Sequence, residues 1–384
     1  LRAQVLLVLT EVHKWRGDNA GAKAAAHEAR GLLSPGSANW YHASIELVLA
    51  TASLGDSTEL LPFSEYLLRD PSVGTTRPSA LALLRSATIL SITGEPARAA
   101  QLRACFEART GPVMSDPVLR AWYAWALALD HSMRGFSAAY VDAARDSASL
   151  FDQAGDLRSA TMQRANAGSI LLEVGRWDEA IALLRETWSA ARRIDLGRAV
   201  TLAEINLSRA LPRVGRFDEA LEFADRAVTN ARRMGNRRHA ALAHENIARV
   251  WLERGDLSRA EDAARTSIEC ADGSPAIRAP SLAVLADVLL AANRVDEAFA
   301  AANEAYATLT AAKSLSDGTT MVRLAWAECL HALGRVDEAR GVLRDANERI
   351  ENDVRSVDDP GVRAGILEVP DNARVRRRFA QWSG

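Results

Sequence analysis

A six-residue pattern recurs along the chain at a spacing of about 40 residues. Five clear copies, of the form Gly-Arg-x-Asp-Glu-Ala or close to it, end at Ala180, Ala220, Ala260, Ala298 and Ala339. Weaker copies end at Ala22, Leu60 and Ala99, and a degenerate copy occupies residues Gly135–Tyr140. A fixed period of roughly 20 to 50 residues indicates a stack of similar units rather than one globular core. We therefore predict about nine units in one continuous solenoid.

Each unit contains two helix-forming stretches on either side of this pattern. In residues 157–193, apolar side chains recur at helical spacing before and after a turn at Gly175 and Arg176. The aspartate of the pattern, such as Asp178, stands where the second helix begins, and a carboxylate there complements the helix dipole and can cap free amides. The glycine tolerates a turn conformation that other residues resist. Each unit is therefore predicted to be a helix–turn–helix.

Small residues occupy two fixed places in most units. One is the alanine that ends the pattern, and the other lies twelve residues earlier. The earlier position is held by Gly168, Ser208, Ala248, Ala286 and Ala327. Small side chains let two antiparallel helices approach closely. We expect these positions to be buried between the two helices of a unit.

The small residue in the first helix, the Gly-x-x-Asp-Glu-Ala turn and the alanine that follows resemble the tetratricopeptide repeat. The match is specific in residues 155–345 and looser in residues 1–140, and the unit is about 40 residues rather than 34. The resemblance implies an all-α, right-handed superhelical solenoid that binds a protein or peptide. We place it in residues 1–350, with weaker repeats in 1–150 and clear repeats in 151–350. Residues 351–384 form a C-terminal capping segment in this interpretation.

The tail adds a second resemblance. Asp359-Pro360-Gly361-Val362-Arg363 leads to Ile366-Leu367-Glu368-Val369-Pro370-Asp371-Asn372. This looks like the segment that closes the helical-repeat regions of large bacterial signalling proteins with Ser/Thr kinase or STAND-type ATPase domains. Gly365-Ile366 replaces the usual phenylalanine, and Asp371 replaces the usual glutamate. The resemblance implies a cytoplasmic sensor or partner-recruitment region. Because the sequence begins with leucine, we expect it to be a piece of a longer polypeptide.

Composition and missing motifs exclude several functions. The 47 basic and 49 acidic side chains leave a net charge of −2, which argues against a chain-wide nucleic-acid binder. Three distant cysteines build neither a disulfide scaffold nor a cysteine-rich metal site. No apolar run approaches the roughly 18 residues of a membrane span. The sequence has no P-loop, kinase loop, nucleophile elbow or His-Glu-x-x-His motif. We expect no enzymatic activity, metal or cofactor.

Three asparagines recur two positions before the small residue of the first helix. They are Asn166, Asn206 and Asn246, at intervals of 40 residues. Asparagine is a poor interior helix former, so its recurrence needs a reason. Each amide could bind the backbone of an extended peptide on the concave face of the solenoid, because it offers both a donor and an acceptor. Alternatively, each amide could bond to the next repeat, and the sequence leaves both explanations open.

Charged residues recur one position after the small residue of the first helix. Arg209 and Arg249 precede Asp287 and Glu328 in this series, and Arg213 lies one turn beyond Arg209. The concave groove is therefore predicted to have a cationic middle and an acidic end. Its guanidinium groups could hold a carboxylate or phosphate with two hydrogen bonds each. The alternative is a set of solvated ion pairs between repeats, which contribute about 0–1 kcal/mol each.

Two further alternatives stay open at this point. Four arginines, Arg374 and residues 376–378, suggest nucleic-acid binding, but Val375, Phe379 and Trp382 form one apolar helical stripe. A helix that seals the last repeat explains both features better, so we predict no nucleic-acid partner. The solenoid could also enclose a small molecule and regulate an attached effector. A buried polar pocket would favour that function, whereas an open groove would favour a peptide.

Overall fold

The computed structural model describes residues 1–54, 56, 58–111, 115–134, 138–271, 274–311 and 319–382. Within these ranges it contains twenty α-helices and no β-strand. Parts of the repeat copies around Gly55 and Gly135 lie outside the described residues. The α-helices are α1 Arg2–Arg16, α2 Asn19–Gly31, α3 Ala38–Ser53, α4 Leu60–Arg69, α5 Arg77–Ile92, α6 Pro96–Arg109, α7 Pro117–Arg134, α8 Ala138–Gln153, α9 Leu157–Glu173, α10 Trp177–Arg193, α11 Gly197–Ala210, α12 Phe217–Arg233, α13 Arg237–Glu253, α14 Leu257–Cys270, α15 Pro275–Ala291, α16 Val295–Ala311, α17 Thr319–Ala332, α18 Val336–Arg355, α19 Pro360–Glu368 and α20 Pro370–Trp382.

Helices α1 to α18 follow one another as nine helix pairs. The contacts divide the described residues into a first unit, drawn from 1–134, 139–167 and 190–199, and a second unit, drawn from 138, 168–189 and 200–382. In the first unit α1 packs on α2, and α3 contacts both α4 and α5. In the second unit α13, α15 and α17 each pack on the helix that follows. In addition, α13 contacts α15, and α15 contacts α17. The predicted all-α repeat class is confirmed.

The small residues lie in the helix-packing interfaces, as predicted. In the second unit, Ala248, Ala286 and Ala327 are fully buried. The alanines that end the pattern, such as Ala260 and Ala298, are fully buried as well. A β-carbon at Gly168 would overlap the buried side chain of Leu184. These positions therefore set how closely neighbouring helices approach.

The turn between paired helices has the backbone geometry that the pattern predicts. Gly175 has a φ of +71°, and Asn293, which replaces glycine in its copy, has a φ of +59°. Asparagine is one of the few non-glycine residues that adopt this left-handed conformation readily. Asp218 lies in the first turn of α12, but the N-cap residue Arg216 makes no side-chain cap hydrogen bond. The Asp218 carboxylate complements the helix dipole there and forms an ion pair with Arg254 at 2.8 Å.

The C-terminal segment of the second unit consists of α19 and α20. The preceding helix α18 ends at Arg355, slightly beyond the expected boundary at residue 350. On α20, Val375 is fully buried in a cluster with Leu324, Leu343 and Ile350 of α17 and α18. Phe379 and Trp382 pack against the same cluster. The apolar stripe of α20 thus packs against the last helix pair. No described helix is both long enough and apolar enough to cross a lipid bilayer.

Helix α19 packs backbone to backbone against the turn after α9. A β-carbon at Gly365 would overlap the carbonyl oxygen of Val174, and a β-carbon at Gly175 would overlap the carbonyl oxygen of Gly365. Glycine is needed at both positions because any larger residue would separate the two backbones. The segment therefore runs from the turn at Gly175 to the cluster on α17 and α18.

Candidate functional site

Three residues of the predicted charged series lie on consecutive first helices of the second unit. Arg249 is on α13, Asp287 on α15 and Glu328 on α17. They occupy equivalent repeat positions, and these three helices contact one another in that order. The repeat register thus places one cation and two carboxylates along one face. We call Arg249, Asp287 and Glu328 the charged row.

The polar face of α20 covers the charged row. Asp371, Arg374 and Arg378 lie at positions i, i+3 and i+7 of one helix, so their side chains project from one side. Asp371 Oδ2 is 3.2 Å from Arg249 Nη2, and Arg374 Nη1 is 3.0 Å from Asp287 Oδ2. Glu328 accepts hydrogen bonds from both arginines, with Arg374 Nε at 3.0 Å and Arg378 Nε at 2.8 Å.

The carboxylates of the charged row are largely shielded from water. The side chain of Glu328 is 7% exposed and that of Asp287 is 12% exposed. Burial raises the pKa of Asp287, and the charge of Arg374 lowers it. The carboxylates of Glu328 and Asp371 raise it again, so that the pKa of Asp287 is about 6. Ionised Asp287 is thus tolerated mainly because Arg374 is present.

We expect Asp287→Asn to change how stability depends on pH. Between pH 4 and 6 the folded carboxyl, with a pKa of about 6, binds more protons than its unfolded form, whose ordinary pKa is near 4. This carboxyl therefore lowers the free energy of unfolding as the pH rises, by at most about 3 kcal/mol. Urea unfolding at several pH values should show the wild type losing stability relative to the variant between pH 4 and 7. If the difference in the free energy of unfolding between the wild type and the variant did not change with pH, the raised pKa of Asp287 would be contradicted.

Arg209 and Arg213 lie next to the charged row and border a cleft. Arg209 is on α11, and Arg213 is in the 3₁₀ turn Leu211–Val214 that follows it. Together with Arg249, Asp371 and Pro370 they line a cleft of about 40 Å³. Arg213 is paired with Glu253. Arg209 is exposed, and no ion-pair partner lies within 4 Å of it among the described residues. Its positive charge still acts at longer range on the carboxylate of Asp371, whose pKa it helps to lower.

The three asparagines have different surroundings. Asn246 is buried, and its Nδ2 donates to the carbonyl of Ile205 at 2.9 Å and to Ser208 Oγ at 2.8 Å. Asn206 is also buried, but its Nδ2 has no hydrogen-bond partner among the described residues. Asn166 is half-buried and donates to Gln163 Oε1 at 3.1 Å. Asn246 therefore bonds to the preceding repeat, whereas the structural alternative places the bond to the next repeat.

The sequence alone does not predict that the polar side chains of α20 belong to this site. It predicts a capping helix for Arg374 and Arg378 and gives them no partners in the row. A signal was available, because Asp371, Arg374 and Arg378 carry the opposite charges of the row in the same order. Arg376 and Arg377 point away and are exposed. The site thus consists of the charged row, Arg209, Arg213 and the polar face of α20.

Another cluster, in the first unit, has the donor atoms of a metal site. Ligand atoms of Glu11, His42 and Glu46 lie within 4.8 Å of one another. However, Lys14 Nζ is 2.6 Å from Glu11, and Arg85 Nη1 is 2.6 Å from buried Glu46. Burial would raise the pKa of Glu11, but the hydrogen bond of His42 and the charge of Lys14 lower it to about 2. The two carboxylates are thus already balanced by cations, which makes this an ion-pair network.

Comparison with solved structures identifies the same fold elsewhere. No protein-family model matches the sequence, and no curated protein is significantly similar to it. A Rap protein crystallised with competence and sporulation factor superimposes with a TM-score of 0.61 at 14% identity, covering 99% of this chain and 97% of its own. Aspartyl phosphate phosphatase F from Bacillus subtilis superimposes with a TM-score of 0.56 at 10% identity. The match covers 90% of this chain and 93% of the phosphatase chain. At such identities these likenesses show the tetratricopeptide-like repeat fold.

Proposed function

We propose that the chain is a non-enzymatic scaffold that binds a protein or peptide on the charged row and on the neighbouring Arg209 and Arg213. One observation carries this proposal: the face already binds a helical segment, namely α20 of the same chain. Asp371, Arg374 and Arg378 make ion pairs with Arg249, Asp287 and Glu328. A face that orders one peptide segment through side-chain contacts has the chemistry to bind another.

The fold supports this proposal. Stacked helix pairs present the first helix of each pair on a continuous surface, which repeat proteins use for binding. The Rap structure with the same fold contains competence and sporulation factor. On this chain, the first helices α13, α15 and α17 of the second unit carry the charged row.

The sequence of the tail supports a proposal for the cellular setting. The residues from Asp359 to Asn372 resemble the end of helical-repeat regions in bacterial signalling proteins. We therefore propose that the chain is a cytoplasmic sensor or recruitment region attached to an effector such as a kinase or ATPase. Binding at the charged row changes the contacts of α20, which is a means of passing the signal on.

Peptide selection from a displayed random library tests the binding function. The immobilised chain should enrich peptides that bind with micromolar or better affinity. Arg209→Glu should weaken acidic binders about tenfold, because a charge-assisted hydrogen bond contributes about 1.5–3 kcal/mol. Arg233→Glu, an exposed change on α12 with the same charge difference, is the matched control and should leave affinity unchanged. A library that yields no binder would contradict the scaffold function.

A small-molecule receptor is the second candidate, because a cleft beside α20 has a suitable size. Its volume is about 480 Å³, within the usual range for ligand pockets. Leu252, Leu290 and Trp382 supply apolar walls, and Glu328 and Arg378 supply charge. Thermal unfolding of the chain with a panel of small ligands tests this function. A ligand that raises the Tm in the wild type but not in Leu290→Trp would favour it over peptide binding.

A further inference from the structure

We infer that α20 occupies the binding site of a partner and resembles that partner in its charge pattern. The partner is a helical segment in which an acidic residue is followed by basic residues three and seven positions later. This rests on the proposed function, since the partner is taken to bind the same row. The segment Asp371-x-x-Arg374-x-x-x-Arg378 is the pattern that the row holds in the structure.

The charges of the two surfaces match in order. The charged row presents cation, anion, anion from α13 to α17, and α20 presents anion, cation, cation. Reversing the direction of the bound helix would place its arginine beside Arg249 and its aspartate beside Glu328. The row therefore selects both the composition and the direction of a helical segment.

The two carboxylates of the row demand a cationic occupant. Glu328 and Asp287 are mostly buried beneath α20, and an uncompensated buried charge is costly. If a neutral segment displaced α20, it would leave both carboxylates without their arginine partners. A competing partner must consequently supply two cations in the same places. This requirement fixes the basic part of the pattern.

The cleft at Arg209 explains how a partner binds to the row more tightly than α20 does. Arg209 is near enough to lower the pKa of Asp371, yet it has no ion-pair partner within 4 Å among the described residues. The cleft of about 40 Å³ beside it has room for a few water-sized groups, which suits a carboxylate. Val369 and Pro370, which precede Asp371 at the start of α20, reach the cleft without a charge. A partner with an acidic residue at that turn makes one more ion pair.

The apolar stripe of α20 lies beside its ion-pairing residues. Val375 packs with Leu324, Leu343 and Ile350 and is about one helical turn from both Asp371 and Arg378. Attachment of α20 thus has an apolar part and a charged part on adjoining strips of the helix. Substitutions directed at either part open the row without altering its own residues.

Binding of a synthetic peptide with the sequence of residues 369–382 tests the inference. The chain is opened by Arg374→Glu with Arg378→Glu, or separately by Val375→Asp. Each opened chain should bind the labelled peptide at least about tenfold more tightly than the wild type, which corresponds to about 1.4 kcal/mol. Arg376→Glu with Arg377→Glu changes the same charge on exposed positions and should bind as the wild type does.

Two peptide variants make the test specific. Exchanging the aspartate and the two arginines for residues of opposite charge should abolish binding to the Val375→Asp chain. Replacing the first valine of the peptide with glutamate should strengthen binding to that chain severalfold, and Arg209→Glu in the chain should remove the gain. In the wild type, excess peptide should accelerate hydrogen exchange of the chain's own α20.

The outcomes separate this inference from the proposed function. Equal binding of the original and charge-exchanged peptides would overturn the inference. Failure of both opened chains to bind the peptide, while library-selected peptides without the charge pattern bind, would also overturn it and leave the scaffold function standing. If neither the defined peptides nor any library-selected peptide bound, both the inference and the proposed scaffold function would be contradicted.

Discussion

Replacement of Gly365 by alanine should detach the C-terminal segment, although alanine is the better helix former. The added β-carbon overlaps the carbonyl oxygen of Val174, which belongs to a turn and has little room to move. Overpacking of this kind costs about 1–3 kcal/mol or more. A gain of about 0.5–1 kcal/mol in helix propensity does not offset it. Hydrogen exchange of residues 360–380 should accelerate in the variant while the repeat helices keep their protection.

Matched glycines elsewhere separate overlap from intrinsic propensity. Gly341 lies in α18 and has open space where a β-carbon would be added, so Gly341→Ala should raise the free energy of unfolding by about 0.5–1 kcal/mol. Gly175 and Gly215 both have positive φ, but only Gly175 faces another backbone. Gly175→Ala should therefore be clearly more destabilising than Gly215→Ala. If Gly365→Ala changed the free energy of unfolding as Gly341→Ala does, and Gly175→Ala as Gly215→Ala does, α19 would not be held against the turn.

Arg374→Glu should release α20 from the charged row. The substitution removes a cation that serves both Asp287 and Glu328 and puts a third carboxylate between them. Breaking a buried ion pair typically costs about 3–5 kcal/mol. Docking of α20 should weaken by a comparable amount, visible as loss of amide protection throughout α20. Limited proteolysis after Phe379 provides a second readout.

Arg376→Glu is the control for this prediction. It makes the same charge change two residues away, on an exposed side chain of the same helix. It should change the protection of α20 little, because exposed charges contribute about 0–1 kcal/mol. If both variants release α20 equally, net helix charge rather than the row would hold the segment.

The repeat pattern was sufficient to predict the fold and the positions of the row. A constant period fixes which residues of neighbouring units are equivalent, so Arg249, Asp287 and Glu328 could be placed on one face before any coordinates. The same logic predicts buried small residues at Ala248 and Ala286, and both are buried. Local periodicity and neighbour packing decide these features, and both are written into each unit.

The occupant of the row could not be predicted in the same way. The last copy of the pattern ends at Ala339, so periodicity gives no position for α19 and α20. Their path depends on tertiary contacts, such as the approach of Gly365 to Val174. Likewise, equivalence in sequence does not ensure equivalent hydrogen bonds. Asn246 donates to the hydroxyl of Ser208, whereas the residue at the corresponding position before Asn206 is Gly168, which has no hydroxyl.

Coupling between Glu328 and Arg374 is the most direct test of the central claim, that the charged row holds α20. Hydrogen exchange of α20 amides is measured in the wild type, Glu328→Gln, Arg374→Gln and the double variant. We predict that each single change accelerates exchange about tenfold or more, and that the double change adds little, because contacting residues couple by about 0.5–3 kcal/mol. Additive effects, or no effect of Glu328→Gln on α20, would contradict the claim.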